Sequence, residues 1–126
     1  MSNAYEKLSF KRKQLQNDGL APYWFTTAGY QLVTEKHYLD TAETPKDMYT
    51  RIAKRAAELT TIRIPAQFGY SSWFDAYFDV MWKGWLSPST PVLSNMGNER
   101  GHPIACSGTH LGDSISSFYS ARKEIA

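Results

Sequence analysis

The sequence contains a single cysteine, Cys106, so no disulfide can form within the 126 residues. A secretory segment is also lacking, and the two absences together favour a reducing, cytoplasmic setting. No uninterrupted apolar run approaches the roughly 20 residues that a membrane helix needs, so we expect no membrane span. Net charge is low as well, because 14 basic and 12 acidic residues leave a formal charge of +2. Nucleic-acid binders show a stronger basic footprint, and nucleic acid is therefore not an expected partner.

Apolar and aromatic residues, by contrast, are plentiful. Hydrophobic residues make up 42% of the chain and aromatic residues 14%, which is enough to build a packed core. Apolar positions at helical spacing predict a first helix over about residues 5–17, and the run Lys11, Arg12 and Lys13 is predicted to form its solvated face. Pro22 breaks the following segment, residues 20–30, whose conformation the pattern leaves open.

Two further helices have clear start signals. Thr44 can cap a helix that has Pro45 at its first position, with Asp47 as a shorter stand-in for the glutamate of a capping box. The predicted buried stripe of this helix is Met48, Ile52, Ala56 and Leu59. Ser72 and Asp75 repeat the capping pattern before a second helix. Its aromatic stripe at helical spacing is predicted to have a packing role and comprises Phe74, Tyr77, Phe78, Met81, Trp82 and Trp85.

The composition changes at residue 87. Residues 87–91 contain Pro88 and Pro91 and are predicted to be non-helical, with a short extended run at residues 92–93. A short strand is predicted at residues 104–107, and residues 112–114 read as a loop that delivers a capped helix. Because that helix meets no glycine or proline stop, we expect the chain to be a piece of a longer assembly.

The residues around Cys106 leave several interpretations open. A lone cysteine is often a small buried hydrophobe. A Cys/His nucleophile is the second interpretation, because His102 and His110 lie four residues on either side and a hydrolase needs a base near its thiol. Glycine and proline between these histidines argue against a helical spacing. One cysteine and three histidines without paired spacing do not form a recognisable metal site, so no metal is predicted in this chain.

A third interpretation rests on motifs in register. Residues 87–97 read S-P-S-T-P-V-L-S-N-M-G, Cys106 follows Thr90 by sixteen positions, and the motif G-D-S stands at residues 112–114. In order and spacing this set resembles the large, catalytic subunit of ribonucleotide reductase. Residues 20–30 and 49–53 are similar to the segment that precedes the family's catalytic barrel. Each short motif is common alone, whereas the set in register is specific.

The resemblance implies a fold and a division of the chain. The fragment would be mainly α-helical and would open a ten-stranded α/β barrel that another polypeptide completes. Residues 1–86 would form the helical N-terminal region. Residues 87–126 would supply the first strands, a loop and a helix of the incomplete catalytic barrel.

The resemblance also implies residue roles. Cys106 falls on the first member of a redox-active pair whose second cysteine lies outside this chain. Ser89 and Thr90 fall on the substrate-binding segment, to which Cys106 and the backbone of Ala105 also contribute. A serine often precedes the redox cysteine in the family, so only the backbone can serve at Ala105. The start of an allosteric site for a deoxynucleotide effector falls on Asp113, Ser114 and Ile115.

Partners follow from what one thiol cannot do. Replacing a ribose 2′-hydroxyl by hydrogen takes two electrons, which a pair of thiols supplies by closing to a disulfide. The implied partners are a polypeptide carrying the rest of the catalytic subunit, a separate radical-generating small subunit with a dimetal centre, and thioredoxin or glutaredoxin as reductant. The small-subunit class is favoured over an adenosylcobalamin class, and a dimer of the assembled large subunit is expected. No cofactor is expected in this chain beyond the nucleotide substrate and effector. The main alternative is a non-catalytic helical interaction module.

Overall fold

A computed structural model describes residues 3–40 and 42–125 of the chain. Within these residues the α-helices are α1 Ala4–Asn17, α2 Thr27–Glu35, α3 Pro45–Leu59, α4 Trp73–Trp82, α5 Thr90–Asn95 and α6 Ile115–Ile125, with a 3₁₀ turn at Ala66–Phe68. The described part of the chain contains no β-strand. The prediction of a mainly α-helical fragment is therefore confirmed. Residues 1, 2, 41 and 126, which the predicted ranges include, lie outside the described residues.

The helices with clear start signals form where the sequence predicts them. Thr44 accepts a hydrogen bond from the backbone N–H of Asp47 at 3.2 Å, and the Asp47 carboxylate accepts one from the Thr44 N–H at 2.9 Å. This reciprocal capping box begins α3. Ser72 caps α4 by accepting from the N–H of Asp75 at 3.2 Å, without the reciprocal bond that completes the box at α3. Helix α2 begins within the uncertain segment after Pro22 and continues to Glu35, and Thr26 caps it by accepting from the Gly29 N–H at 3.0 Å.

Helix α5 corrects the prediction that residues 87–93 are non-helical and then extended. The helix begins at Thr90 and carries Pro91 in its first turn. A proline is tolerated there because the first N–H groups of a helix have no intrahelical acceptor. The strand predicted at residues 104–107 is also absent, and that segment has no regular secondary structure. A strand needs a neighbour to pair its backbone groups, and no other described segment is extended beside it.

The core lies around the first half of α3, which packs against both α4 and α5. Its buried positions all lie between Pro45 and Ala53. Residues from the preceding segment, from α2 and from α4 complete the core: Ala21, Phe25, Tyr30, Val33 and Met81. The predicted stripe is correct at Met48 and Ile52, only partly buried at Ala56 and wrong at Leu59, which is 58% exposed at the end of the helix.

Two other expectations about surface and core need correction. Arg12 is not part of a solvated face, because its guanidinium donates to the Phe25 carbonyl at 3.2 Å and to the Thr27 hydroxyl at 3.1 Å. The aromatic stripe of α4 does pack, with the rings of Phe78 and Trp82 stacked at 5.3 Å between centroids. Trp85 lies beyond the end of that helix and is 71% exposed.

Candidate functional site

Ser89 and Thr90 lie at the start of α5. Ser89 precedes the helix and makes no side-chain capping bond, so its hydroxyl is not used to hold the helix. Both side chains are exposed. The hydroxyl of Tyr38 donates to the Thr90 hydroxyl oxygen at 3.4 Å, and the Ser94 hydroxyl donates to the Thr90 carbonyl at 3.1 Å. Two consecutive residues with exposed hydroxyls thus stand at the start of a short helix.

Arg51 of α3 is hydrogen-bonded to the C-terminal end of α5. Its guanidinium donates to the carbonyl of Leu93 at 2.8 Å, to that of Met96 at 2.6 Å and to that of Tyr38 at 3.2 Å. The same guanidinium forms a two-point ion pair with Glu43, with both N···O distances at 3.1 Å. The two charged side chains are each only 11% exposed. We call Arg51 and Glu43, with the three carbonyls, the arginine clamp.

The segment after α5 lies close to α3 and to the end of α5, through Gly97, Gly101 and a hydrogen bond from Asn95. Gly97 has a φ of 83°, and a Cβ at this position would lie 2.7 Å from Cγ of Arg51. The side-chain amide of Asn95 donates to the His102 carbonyl at 2.9 Å. Gly101, with a φ of 71°, passes so close to Asn95 that a Cβ there would lie 2.7 Å from its Cγ. A Cβ at Gly97 would displace the Arg51 side chain, and one at Gly101 would displace the side-chain end of Asn95, while the positive φ at both positions favours glycine.

Cys106 lies in the irregular segment that follows and is exposed, with a free thiol. The buried-hydrophobe interpretation is therefore wrong for this structure. No hydrogen bond joins its Sγ to His102 or His110 in the part of the chain that the structure describes. Ala105, beside it, is exposed as well. The thiol is accessible, and no hydrogen bond from it to a basic side chain is found in residues 3–40 and 42–125.

The predicted effector residues stand at the start of α6. Ser114, rather than Asp113, caps this helix, since its hydroxyl accepts from the Ser117 N–H at 3.1 Å. Asp113 is exposed, and Ile115 is 75% exposed. Within the described residues α6 packs against no other helix, so these three residues are not brought to the Thr90 segment.

A group of three pKa shifts lies away from these residues, beside and on α4. The Tyr70 hydroxyl donates to the Asp79 carboxylate at 2.6 Å, and Lys83 pairs with the same carboxylate at 2.9 Å. Hydrogen bonding from Tyr70, and then from Lys83, lowers the pKa of Asp79. The same hydrogen bonds to Asp79 raise the pKa of Tyr70 and of Lys83. This surface network is structural and touches none of the predicted site residues.

The sequence matches a known protein family over more than half of its length. The model of the family described as "Ribonucleotide reductase, all-alpha domain" matches residues 23–101. The match covers more than half of the chain, and the chain therefore belongs to this family, the all-alpha domain of the ribonucleotide reductase large subunit. Membership supports a role in that enzyme. No curated protein matches the chain, and no solved structure does.

The matched range separates the predicted site residues into two groups. It includes Ser89 and Thr90 and ends before Cys106 and the residues at the start of α6. The match assigns no role to any single residue, so the roles given to both groups, and the domain division at residue 86, stay predictions. Across residues 3–40 and 42–125, no helix is long and apolar enough to cross a membrane, and no group of three or more His, Cys, Asp or Glu side chains could hold a metal ion.

Proposed function

We propose that this chain supplies the helical N-terminal domain and one redox cysteine of a ribonucleotide reductase catalytic subunit, and that a second polypeptide supplies the rest of the barrel. The observation that carries the proposal is the family match over residues 23–101. The motifs in register around Thr90 and Cys106 support it further. The activity belongs to the assembly and not to this chain alone.

Substrate binding is assigned to Ser89 and Thr90. Hydroxyl groups are suitable donors to the phosphate end of a nucleotide, and both side chains here are exposed at one end of a short helix. The backbone of Ala105 and the thiol of Cys106 complete the part of the substrate site that this chain contributes. The exposed position of Cys106 supports access by substrate and by a reductant.

The redox role of Cys106 has a definite electron balance. The ribose C2′–O bond breaks, a C2′–H bond forms and water leaves, while two thiols lose two electrons and close to a disulfide. Cys106 provides one thiol and the second polypeptide provides the other. Thioredoxin or glutaredoxin then reduces the disulfide by thiol–disulfide exchange. A separate small subunit with a dimetal centre supplies the radical that begins each turnover.

Asp113, Ser114 and Ile115 are assigned to the start of the effector site. Helix α6 packs against no other helix within the described chain, which leaves these three residues accessible to a deoxynucleotide and to a second copy of the assembled subunit. A dimer of the assembled large subunit therefore belongs to the proposal.

The proposal is tested by co-expressing the chain with the polypeptide that carries the remaining barrel. The two should co-purify and, with the small subunit and reductant, convert ribonucleotides to deoxyribonucleotides. Cys106→Ser should stop multiple turnover because no disulfide can form, whereas Ser107→Ala, a change at the neighbouring exposed position, should not. Unchanged steady-state deoxynucleotide production by Cys106→Ser would refute the redox role. An assembly that forms but reduces nothing would favour the helical interaction module.

A further inference from the structure

We propose that Arg51, held by Glu43, is a positioning residue that sets the substrate affinity of the Ser89–Thr90 hydroxyls without touching substrate. The inference rests on the proposed function and adds to it the group that holds the substrate-binding helix in place. It follows from four observations on the arginine clamp: the shortness of α5, the carbonyls that Arg51 binds, its pairing with Glu43, and the link through Tyr38.

Helix α5 is too short to hold its own conformation. Six residues make less than two turns, and isolated helices below about 12–15 residues are marginal in water. Its orientation must therefore come from contacts outside the helix. Ser89, which precedes the helix, makes no side-chain capping bond, so the N-terminal end lacks the usual support of a cap.

Arg51 supplies those contacts. The last carbonyls of a helix have no intrahelical donor. The Arg51 guanidinium donates to Leu93 in the last turn and to Met96 just beyond it, at 2.8 and 2.6 Å. These two bonds satisfy carbonyl groups at the C-terminal end of α5 and tie them to the central helix of the core, α3.

Glu43 fixes the direction of the guanidinium. The two side chains meet with a fork geometry, Nε to one carboxylate oxygen and Nη2 to the other, both at 3.1 Å. Such two-point pairing specifies orientation, and the single ammonium of lysine cannot reproduce it. Because both side chains are nearly buried, loss of one partner leaves the other charge poorly solvated.

Tyr38 connects the clamp to Thr90 itself. Its carbonyl accepts from Arg51 at 3.2 Å, while its hydroxyl lies 3.4 Å from the Thr90 hydroxyl oxygen. Arg51 therefore constrains α5 at its C-terminal end directly and at its first residue through Tyr38. A shift of the guanidinium would therefore displace Thr90 both through α5 and through Tyr38.

The experiment compares Arg51→Lys with Arg55→Lys in the assembled enzyme. Arg55 lies one turn further along α3 and is half exposed, with a surface pair to Glu58 at 3.2 Å, so it is a matched control. We expect Arg51→Lys to raise KM for the nucleotide about tenfold, the equivalent of one charge-assisted hydrogen bond, with a smaller change in kcat. Arg55→Lys should leave both constants within about twofold. Equal, small effects of the two changes would overturn the inference.

Hydrogen exchange provides a readout that does not need activity. In Arg51→Lys the amides of Leu93 and Met96, which bond to the Ser89 and Val92 carbonyls, should exchange at least about tenfold faster, while the amides of the α3 core keep their protection. Unchanged exchange in α5 would overturn the clamp even if activity fell. Glu43→Gln, which keeps shape and removes the charge, should give the same pattern to a smaller degree and serves if Arg51→Lys fails to fold. A wild-type assembly without reductase activity would instead refute the proposed function.

Discussion

Replacing Gly97 by alanine should destabilise the chain more than the same change at Gly69. Both glycines have a positive φ, 83° at Gly97 and 74° at Gly69. A Cβ at Gly97 would lie 2.7 Å from Cγ of Arg51 and 3.1 Å from its backbone oxygen, whereas a Cβ at Gly69 would meet nothing within 4 Å. Comparing the two substitutions therefore separates the cost of backbone strain, which both share, from the cost of steric crowding, which arises at Gly97 alone.

The expected difference follows from these two costs. Placing an L-residue in the left-handed region costs about 1–2 kcal/mol at either site, and the reduced entropy of the unfolded chain offsets about 0.4–1 kcal/mol of it. At Gly97 the side chain of Arg51 must also move, which disturbs its bonds to Glu43 and the α5 carbonyls. Weakening one hydrogen bond of a charged group costs about 1.5–3 kcal/mol. We expect Gly97→Ala to lower the free energy of unfolding by about 2–4 kcal/mol and Gly69→Ala by about 1 kcal/mol.

Urea denaturation followed by tryptophan fluorescence and circular dichroism measures both values. The slope of unfolding free energy against urea should be the same for all variants, so that the midpoint reports stability. Gly19→Ala is a second control, because its φ is 72° and a Cβ there also meets nothing within 4 Å. If Gly97→Ala costs no more than the two controls, the close approach of Gly97 to Arg51 does not constrain the fold.

Two further predictions concern α3. Met48 is fully buried, so Met48→Ala should lower the free energy of unfolding by about 2–5 kcal/mol, while Leu59→Ala at the exposed end of the helix should change it by less than about 1 kcal/mol. Equal losses in urea denaturation would contradict the burial of this helix. Burial raises the pKa of Tyr49 to about 12 from its ordinary 10.0. The neutral phenol is therefore favoured by folding, and stability should be full below pH 10 and fall as the pH rises toward 12, by about 1 kcal/mol at pH 11. Tyr49→Phe should lack this loss, and a difference between the two proteins that does not vary with pH would show the reasoning to be wrong.

Helix starts were predictable because their signals are local. Thr44, Pro45 and Asp47 stand within four residues, and the capping box they indicate is formed. The start of α5 could not be predicted in this way, because its local signal is ambiguous. Pro91 usually breaks a helix, although a proline in the first turn lacks only an N–H that has no intrahelical acceptor.

Burial at helix ends was harder to predict. A periodic stripe extends through Leu59 in the sequence, but only the first half of α3 is covered by its neighbours. Arg12 illustrates the opposite error, since a residue in a basic run is held by the Phe25 carbonyl and the Thr27 hydroxyl. In both cases the outcome depends on which segment packs across the helix, and spacing along one helix contains no information about that.

The candidate site was also predictable only in part from the sequence. Motif register selected Thr90 and Cys106, and the family match over residues 23–101 includes Thr90 but ends before Cys106. The pairing of Arg51 with Glu43 could not be predicted from the sequence, because a single arginine and a single glutamate eight residues apart form no motif. One signal was available: Arg51 follows the buried Met48 by three positions and so lies beside it on α3, where a charged side chain needs a partner.

The sequence by itself therefore determined the helical character of the chain, three of its helix starts and its family, since these depend on local capping chemistry and on motif order. Tertiary structure decided the rest. Folding placed the guanidinium of Arg51 among carbonyls 42 and 45 residues away along the chain and left the Cys106 thiol exposed. Such long-range pairings depend on how helices pack, because a buried charge takes whatever acceptors the packing brings within reach.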